Sequence, residues 1–202
     1  MKTPLQLHEE SLNPNINNIN VYNNWANTYD NYVDSLEYNG PKNIVSNLNN
    51  LIKNQKKYFQ ILDFGCGTGK IGEELKKQIK TKYYLEGIDI STNMLENAEN
   101  KNIYDKLTCL DLTKESYNNK YDYILSSGVF LEGHVEISMV NKLQKMLNNN
   151  GVLLFTIRES FKDNNSEDFY KYVENNKKFM SYSIANIEYL NDVKCNLVCL
   201  KL

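Results

Sequence analysis

A glycine-rich turn between an apolar strand and a helix constrains the fold of this chain more than any other feature. The apolar run YFQILDF leads directly into GCGTG, and the amphipathic run KIGEELKKQIK follows at once. Glycines allow the positive φ angles of a tight turn and let a ligand approach the backbone closely. The unpaired amide groups at the start of a helix offer hydrogen bonds to an electron-rich ligand. The pattern therefore predicts a strand, a turn and a helix that together bind a ligand.

Strands and helices continue to alternate along the chain. Strands are predicted in YYLEGIDI, KLTCLDL, YDYILSS and GVLLFTI, and helices in STNMLENAEN and EISMVNKLQKML. This alternation is typical of a parallel sheet with helices on both faces. Two further strand candidates, FMSYSIANIEYL and CNLVCLKL, are joined only by NDVK, which is too short for a parallel crossover. We therefore expect a doubly wound α/β fold whose last two strands form an antiparallel hairpin.

The N-terminal part of the chain precedes this alternation. Residues 1–20 show no sustained period and predict a flexible lead-in. Apolar residues then recur at helical spacing from Val21 to Leu36 and, after a break at Gly40, from Ile44 to Leu51. Two helices are therefore expected before the first strand, and a further helical segment, SEDFYKYVEN, before the hairpin. Residues 21–202 show no linker or repeat and predict one domain.

Charge and composition argue against several classes of function. A net charge of -2 with one arginine gives no basic surface for nucleic acid. No apolar run approaches the roughly 18 residues of a membrane span, and the start MKTPLQLHEE lacks the apolar region of a signal peptide. The four cysteines form no CxxC pair and have no histidine at metal-ligand spacing. These observations favour a cytoplasmic monomer with no metal site and no membrane contact.

The residues around the glycine turn indicate which class of cofactor it binds. Asp89 ends the next predicted strand, where a carboxylate can accept both hydroxyls of a ribose. The dinucleotide fingerprint GxGxxG would place its last glycine at position 70, which is Lys70, whereas here it comes one residue earlier, at Gly69. NAD is therefore disfavoured. The acidic residue Asp63 suits an adenosine cofactor without a pyrophosphate, because it could neutralise an ammonium group.

Three segments, ILDFGCGTGKIGEEL, GIDISTNMLENA and YDYILSSGVF, resemble motifs of class I S-adenosylmethionine-dependent methyltransferases. NWANTYDNYV and ILSSGVFLEGHV are also similar to the methyltransferase-like protein of the Williams-Beuren syndrome chromosomal region and its relatives. The likeness runs from about Val21 to Leu202. It implies a Rossmann-like seven-stranded sheet with a reversed last strand, S-adenosyl-L-methionine as cofactor, and methyl transfer to a small molecule or a protein side chain.

The resemblance also assigns cofactor contacts, which come from the glycine turn, the ends of the following strands and the N-terminal aromatic helix. They are Tyr22, Trp25, Tyr29, Asp63, Gly65, Cys66, Gly67, Gly69, Asp89, Ile90, Met94, Asp111, Ser126 and Ser127. Of these, Asp63 would face the methionine part and Asp89 the ribose, with Asp111 at the adenine. A plainer interpretation stays open for Asp111 as a helix cap. Trp25 and Tyr29 lie on an apolar helical stripe, which is typical of core packing.

Three residues are candidates for the acceptor side. His134, in EGHVE, is placed to act as a general base if the acceptor carries a proton. Glu132 would attract a cationic acceptor and Arg158, the single arginine, an anionic one. A surface histidine and a structural ion pair are the alternatives. Two other functions also stay open: a binding protein that keeps the cofactor fold without catalysis, and a nicotinamide-dependent oxidoreductase.

Overall fold

The computed structural model describes residues 2–53, 55, 58–131, 134–158, 171, 179, 181–191 and 193–202. Within them, seven strands form one sheet: β1 (Phe59–Phe64), β2 (Tyr83–Asp89), β3 (Lys106–Cys109), β4 (Tyr121–Phe130), β5 (Leu147–Arg158), β6 (Ser181–Leu190) and β7 (Val193–Lys201). Their spatial order is β3-β2-β1-β4-β5-β7-β6. The first five strands are parallel, and β7 runs antiparallel to both β5 and β6. The predicted mostly parallel sheet with a reversed last strand and a closing hairpin is confirmed.

Helices cover both faces of this sheet. They are α1 (Pro4–Ser11), α2 (Asn18–Ser35), α3 (Gly40–Ile52), α4 (Lys70–Gln78), α5 (Thr92–Asn100) and α6 (Met139–Lys145). Alternate strand residues point to opposite faces, so Ile61 packs with α3 and α4, whereas Leu62 packs with α6. Because β2 and β4 are parallel to β1 and lie on either side of it, the carboxyl ends of these three strands lie at the same end of the sheet. Buried apolar side chains pack against both faces of the sheet and fix these ends in place.

The structure corrects the expectation of a flexible N-terminal lead-in. A capping box between Thr3 and Gln6 starts α1, and Leu7 of this helix is buried in a cluster with Trp25. Three helices, rather than the expected two, precede β1 in the described part of the chain. The eight residues of α1 are too few to show a period in the sequence. Such a short helix depends on its cap and on tertiary packing.

The expected helix EISMVNKLQKML is also shorter in the structure. Helix α6 ends at Lys145, and Leu147 already pairs with Tyr121 at the start of β5. Leu147 is buried in the core, so its apolar character fitted a helix face and a strand equally well. The predicted segment SEDFYKYVEN lies outside the described residues except for Lys171. No helix in the described ranges is long and apolar enough to cross a membrane.

Candidate functional site

The glycine turn lies at the sheet edge where β1 ends. Gly65, Gly67 and Gly69 have φ angles of 68°, 53° and 94°, which favour glycine. The amides of Gly65 and Cys66 donate to the carbonyl oxygen of Ile88 at 2.8 and 3.1 Å, which fixes the turn to the end of β2. A Cβ at Gly65 would lie 2.2 Å from a methyl carbon of Val129. Position 65 therefore needs glycine for both its conformation and its packing.

A cavity of about 310 Å³ opens beside this turn. Its volume is in the range of small-molecule sites. The candidate residues that line it come from α2, the glycine turn, the end of β2 with α5, and the segments after β3 and β4. They are Tyr22, Tyr29, Gly65, Gly67, Asp89, Ile90, Met94, Asp111, Ser127 and His134. The fold thus brings together ten of the residues singled out in the sequence.

Asp89 is held at the cavity by two backbone amides. Its Oδ2 accepts from Gly67 N at 2.8 Å, and its Oδ1 accepts from Ser91 N at 2.9 Å. Burial raises the pKa of Asp89, and the amides of Ser91 and Gly67 act in the opposite direction. A carboxylate has about four acceptor positions, so the Asp89 carboxylate keeps capacity for a further donor. This geometry fits a ribose whose two hydroxyls bind one carboxylate.

Asp63 lies behind the turn as a fully buried carboxylate. Tyr104 donates its hydroxyl to Oδ2 at 2.6 Å, whereas Oδ1 has no hydrogen-bond partner among the described residues. Burial raises the pKa of Asp63 to about 7 even though the Tyr104 bond opposes the shift. A pocket of about 40 Å³ adjoins it, with Tyr29 and Ser127 in its wall. An ammonium group would supply the missing partner, so Asp63 fits the methionine end of S-adenosylmethionine.

Tyr104 is a site residue that sequence reasoning missed. Its ring packs so closely on Gly69, Gly72 and Gly87 that a Cβ at any of them would lie within about 3 Å of it. Glycine inside a strand often marks the close approach of another group. Gly87 in β2 and Gly72 in α4 were therefore the available signal. They allow Tyr104 to reach Asp63.

The family model described as "Methyltransferase domain" matches residues 62–153. These residues include the glycine turn, Asp89, Asp111 and most of the sheet. Slightly under half of the chain is thus similar to a methyltransferase domain.

Curated relatives and solved structures agree with this assignment. The chain is 33% identical to the malonyl-[acyl-carrier protein] O-methyltransferase of Priestia megaterium over 137 residues, which cover 67% of this chain and 48% of that protein. It is 30% identical to human methyltransferase-like protein 27 over 128 residues, which cover 62% of this chain and 51% of that protein. The chain thus spans about half the length of the curated relatives it matches. Both relatives are named as a methyltransferase or a methyltransferase-like protein, in agreement with the resemblance seen in the sequence.

The fold has a close counterpart among solved structures. Magnesium protoporphyrin IX methyltransferase from Synechocystis PCC 6803, with bound S-adenosylmethionine, aligns with a TM-score of 0.64 at 16% identity. The alignment covers 94% of this chain and all of that one. At this level of identity the match shows the class I methyltransferase fold.

Helix α2 covers the cavity and is tied to the surrounding elements by polar contacts. Asp30 of α2 accepts from the Thr68 hydroxyl at 2.5 Å and pairs with Lys101 at 2.6 Å. Asn23 accepts from the Ser91 hydroxyl at 2.7 Å. These bonds connect α2 to the glycine turn and to α5. They hold Tyr22 and Tyr29 over the cavity.

Asp111 lies at the cavity, as the resemblance implies, and its carboxylate also makes the local contacts that the alternative of a capping residue implies. It lines the cavity, but its carboxylate also accepts from Thr113 and pairs with Lys114 at 2.8 Å. Partial burial alone would raise the pKa of Asp111, but the bonds from Lys114 and Thr113 outweigh it and lower the pKa. Its carboxylate therefore stabilises its own turn at the cavity wall.

Several predicted cofactor residues lie away from the 310 Å³ cavity. Trp25 is buried among His8, Tyr22 and Tyr29, so it packs in the core instead of facing the cavity. Ser126 is fully buried and donates to the carbonyl oxygen of Phe64 at 2.9 Å, which ties β4 to β1. Neither side chain lines the 310 Å³ cavity, and the burial of Trp25 agrees with the packing alternative.

The remaining candidates have other surroundings. Cys66 is buried inside the turn, where burial raises the pKa of its thiol, and Gly69 packs against Tyr104. Arg158 lines a separate small cavity. Glu132 lies outside the described residues.

Two hydrogen-bonded pairs lie at the wall of the 310 Å³ cavity, and His134 and Ser127 of these pairs line it. His134 Nε2 and the Tyr22 hydroxyl are 2.8 Å apart. The hydroxyls of Ser127 and Tyr38 are 2.7 Å apart, and Tyr189 donates to Tyr38 at 3.4 Å. Tyr38 was not singled out in the sequence, because it lies in the short segment between α2 and α3.

Replacement of Asp63 by Asn is expected to remove a pH dependence from the stability of the ligand-free protein. From about pH 4 to pH 7 the folded state holds a proton that the unfolded state has released, because folding raises the pKa of Asp63 to about 7. Raising the pH over this range therefore destabilises the wild type by up to about 1.4 kcal/mol per pH unit relative to Asp63→Asn. Urea unfolding of both proteins at several pH values measures this. A difference in stability that stays constant from pH 4 to pH 7 would contradict the assignment.

Proposed function

We propose that this chain transfers a methyl group from S-adenosylmethionine to a small molecule or a protein side chain. The observation that carries the proposal is the pair of carboxylates on either side of the glycine turn. Asp89 presents a carboxylate oriented by two amides to the cavity, and Asp63 presents a buried oxygen without a partner in the described residues. The Asp89 carboxylate suits the ribose hydroxyls, and the Asp63 carboxylate suits the ammonium group of the same cofactor.

The residues of the chain would bind the cofactor, orient it and exclude water. When bound, the cofactor supplies an activated methyl group, so little covalent chemistry is required of the protein. Asp89 and Asp63 hold the two ends, and Gly67 leaves space for close approach of the cofactor to the backbone. Tyr22 and Tyr29 cover the cavity from α2. Alignment and removal of water are the main contributions of the protein to this type of displacement.

His134 is the proposed general base for an acceptor that loses a proton. It lines the cavity and is hydrogen-bonded to Tyr22, which fixes its ring. Replacement by Gln is expected to lower the transfer rate about 100-fold or more, the usual contribution of a positioned base. Tyr22→Phe keeps the imidazole and removes only its hydroxyl partner, so a smaller loss is expected. Rates of all three proteins from about pH 6 to pH 9 measure this, and a full rate for His134→Gln throughout would exclude the role.

Labelled methyl transfer tests the proposed activity itself. The protein is incubated with S-adenosylmethionine carrying a labelled methyl group and with separate pools of metabolites and proteins. We expect label in at least one pool, and no label with Asp89→Asn. Cofactor binding without transfer to any pool would favour the alternative of a binding protein without catalysis.

The proposal also covers the chemical class of the acceptor, the oligomeric state and the group of relatives. Proteins named malonyl-[acyl-carrier protein] O-methyltransferase among the relatives support a small-molecule acceptor. The net charge of -2 supports such an acceptor, or a protein side chain, over nucleic acid, and we propose that the chain acts as a monomer. We also propose that the chain is related to the group of the Williams-Beuren methyltransferase-like protein. Tyr29 and His134, one from each segment that carries this resemblance, line the same cavity.

A further inference from the structure

A second small cavity adjoins the cofactor cavity, and we call it the Arg158 cavity. Its volume is about 40 Å³, and it lies between α1, α2 and the ends of β4, β5 and β6. Its wall includes His8, Trp25, Tyr32, Tyr38, Arg158 and Tyr189. Tyr22, Tyr29 and Gly128 line both cavities. The two cavities are therefore direct neighbours, with these three residues between them.

Two buried donors in this wall have no hydrogen-bond partner among the described residues. They are Nε of Arg158 and Nε1 of Trp25. Most buried donors in proteins are paired, because an unpaired one loses its bonds to water without replacement. Two such donors in the wall of one small cavity therefore indicate a ligand that brings acceptor atoms.

The charge in the wall of the Arg158 cavity indicates the sign of the charge on this ligand. The described wall residues include no carboxylate, and the Arg158 guanidinium carbon lies 5.8 Å from the centre of the Tyr189 ring. Burial and Arg158 lower the pKa of His8, with Glu9 acting in the opposite direction, so His8 is neutral at pH 7. Burial also raises the pKa of Tyr22, Tyr29 and Tyr189, so these phenols carry no charge. Arg158 is thus a cation among neutral wall residues.

We propose that the Arg158 cavity binds a carboxylate of the methyl acceptor. The planar guanidinium matches a carboxylate, which it can bind through two parallel hydrogen bonds. A volume of about 40 Å³ slightly exceeds the roughly 30 Å³ that one water occupies in the liquid, so it suits a small anionic group and not an aromatic ring. The rest of the acceptor would pass Tyr22 and Tyr29 towards the methyl group. This inference rests on the proposed function and narrows its acceptor to carboxylates.

Titration of the protein saturated with S-adenosylhomocysteine tests this inference. Butanoate and butanamide have similar shape and differ in charge, so calorimetry with each isolates the contribution of the carboxylate. We expect butanoate to bind at least about tenfold more tightly than butanamide. Arg158→Lys should lose most of this preference, because lysine lacks the planar fork. Trp25→Phe should lose part of the preference for butanoate, because an aromatic ring remains and the indole N–H donor is removed.

Controls separate this inference from the proposed function. Lys76→Gln removes a positive charge from an exposed position of α4 and should leave the preference unchanged. Affinity for S-adenosylhomocysteine, measured on every variant, shows that it is folded, and Arg158→Lys should retain it. Equal binding of butanoate and butanamide, or an undiminished preference in Arg158→Lys, would overturn the inference while leaving cofactor binding intact. A wild type that does not bind S-adenosylhomocysteine would overturn both.

Discussion

Replacement of Asp89 by Asn is expected to weaken the binding of S-adenosylhomocysteine by about 100-fold or more. Hydrogen bonds to a charged group contribute roughly 1.5 to 3 kcal/mol each, and the two ribose hydroxyls would both donate to this carboxylate. The amide of Asn keeps the shape but lacks the charge and one acceptor oxygen. Isothermal titration calorimetry of the two proteins measures the loss.

Asp122→Asn is the matched control for this prediction. Asp122 also accepts a backbone amide, that of Gln60 at 2.9 Å, but it lies at the start of β4, at the opposite end of the strand from the cavity. Both variants replace a carboxylate that accepts a backbone amide, so both should lose some stability. Only Asp89→Asn should lose affinity. An unchanged dissociation constant for Asp89→Asn would show that the ribose assignment is wrong.

Alanine at Gly65 is expected to destabilise the protein by roughly 2 to 5 kcal/mol. A left-handed conformation costs a residue with a Cβ about 1 to 2 kcal/mol. The new methyl group would also lie 2.2 Å from Val129, and overpacking of this kind adds about 1 to 3 kcal/mol. Urea unfolding in the absence of ligand measures the effect.

Alanine at Gly67 provides the comparison, because only the conformational cost applies there. The φ angle is again positive, at 53°, but an added Cβ would meet no atom of the described residues within 4 Å. We expect a loss of about 1 to 2 kcal/mol of stability, together with weaker cofactor binding because Gly67 lines the cavity. Equal destabilisation by both substitutions would contradict the described packing of the turn.

The order of elements and the glycine turn could be predicted from the sequence because their signals are local. The alternation of strands and helices, the short connection NDVK and the spacing from Gly65 to Asp89 each depend on neighbouring residues. Side-chain direction could be predicted less well. Trp25 and Tyr29 share one helical stripe, and its period does not show which ring faces the core and which the cavity.

Contacts between distant segments could not be predicted from the sequence. Tyr104 donates to Asp63 across 41 residues, and no local pattern relates the two. Helix α1 is similar, because Leu7 is fixed by packing against α2 and not by a repeat within α1. The same helix supplies His8 to the Arg158 cavity, so part of the proposed acceptor site came from a segment expected to be flexible.

Calorimetric titration of the wild type with S-adenosylhomocysteine and, separately, with NAD tests the central claim that this cavity is an S-adenosylmethionine site. Within the described part of the chain, one buried oxygen of Asp63 has no hydrogen-bond partner. It suits an ammonium group, which S-adenosylhomocysteine has and NAD lacks. We predict saturable binding of one S-adenosylhomocysteine per chain and no measurable heat from NAD at the same concentrations. Saturable binding of NAD with none of S-adenosylhomocysteine would contradict the claim.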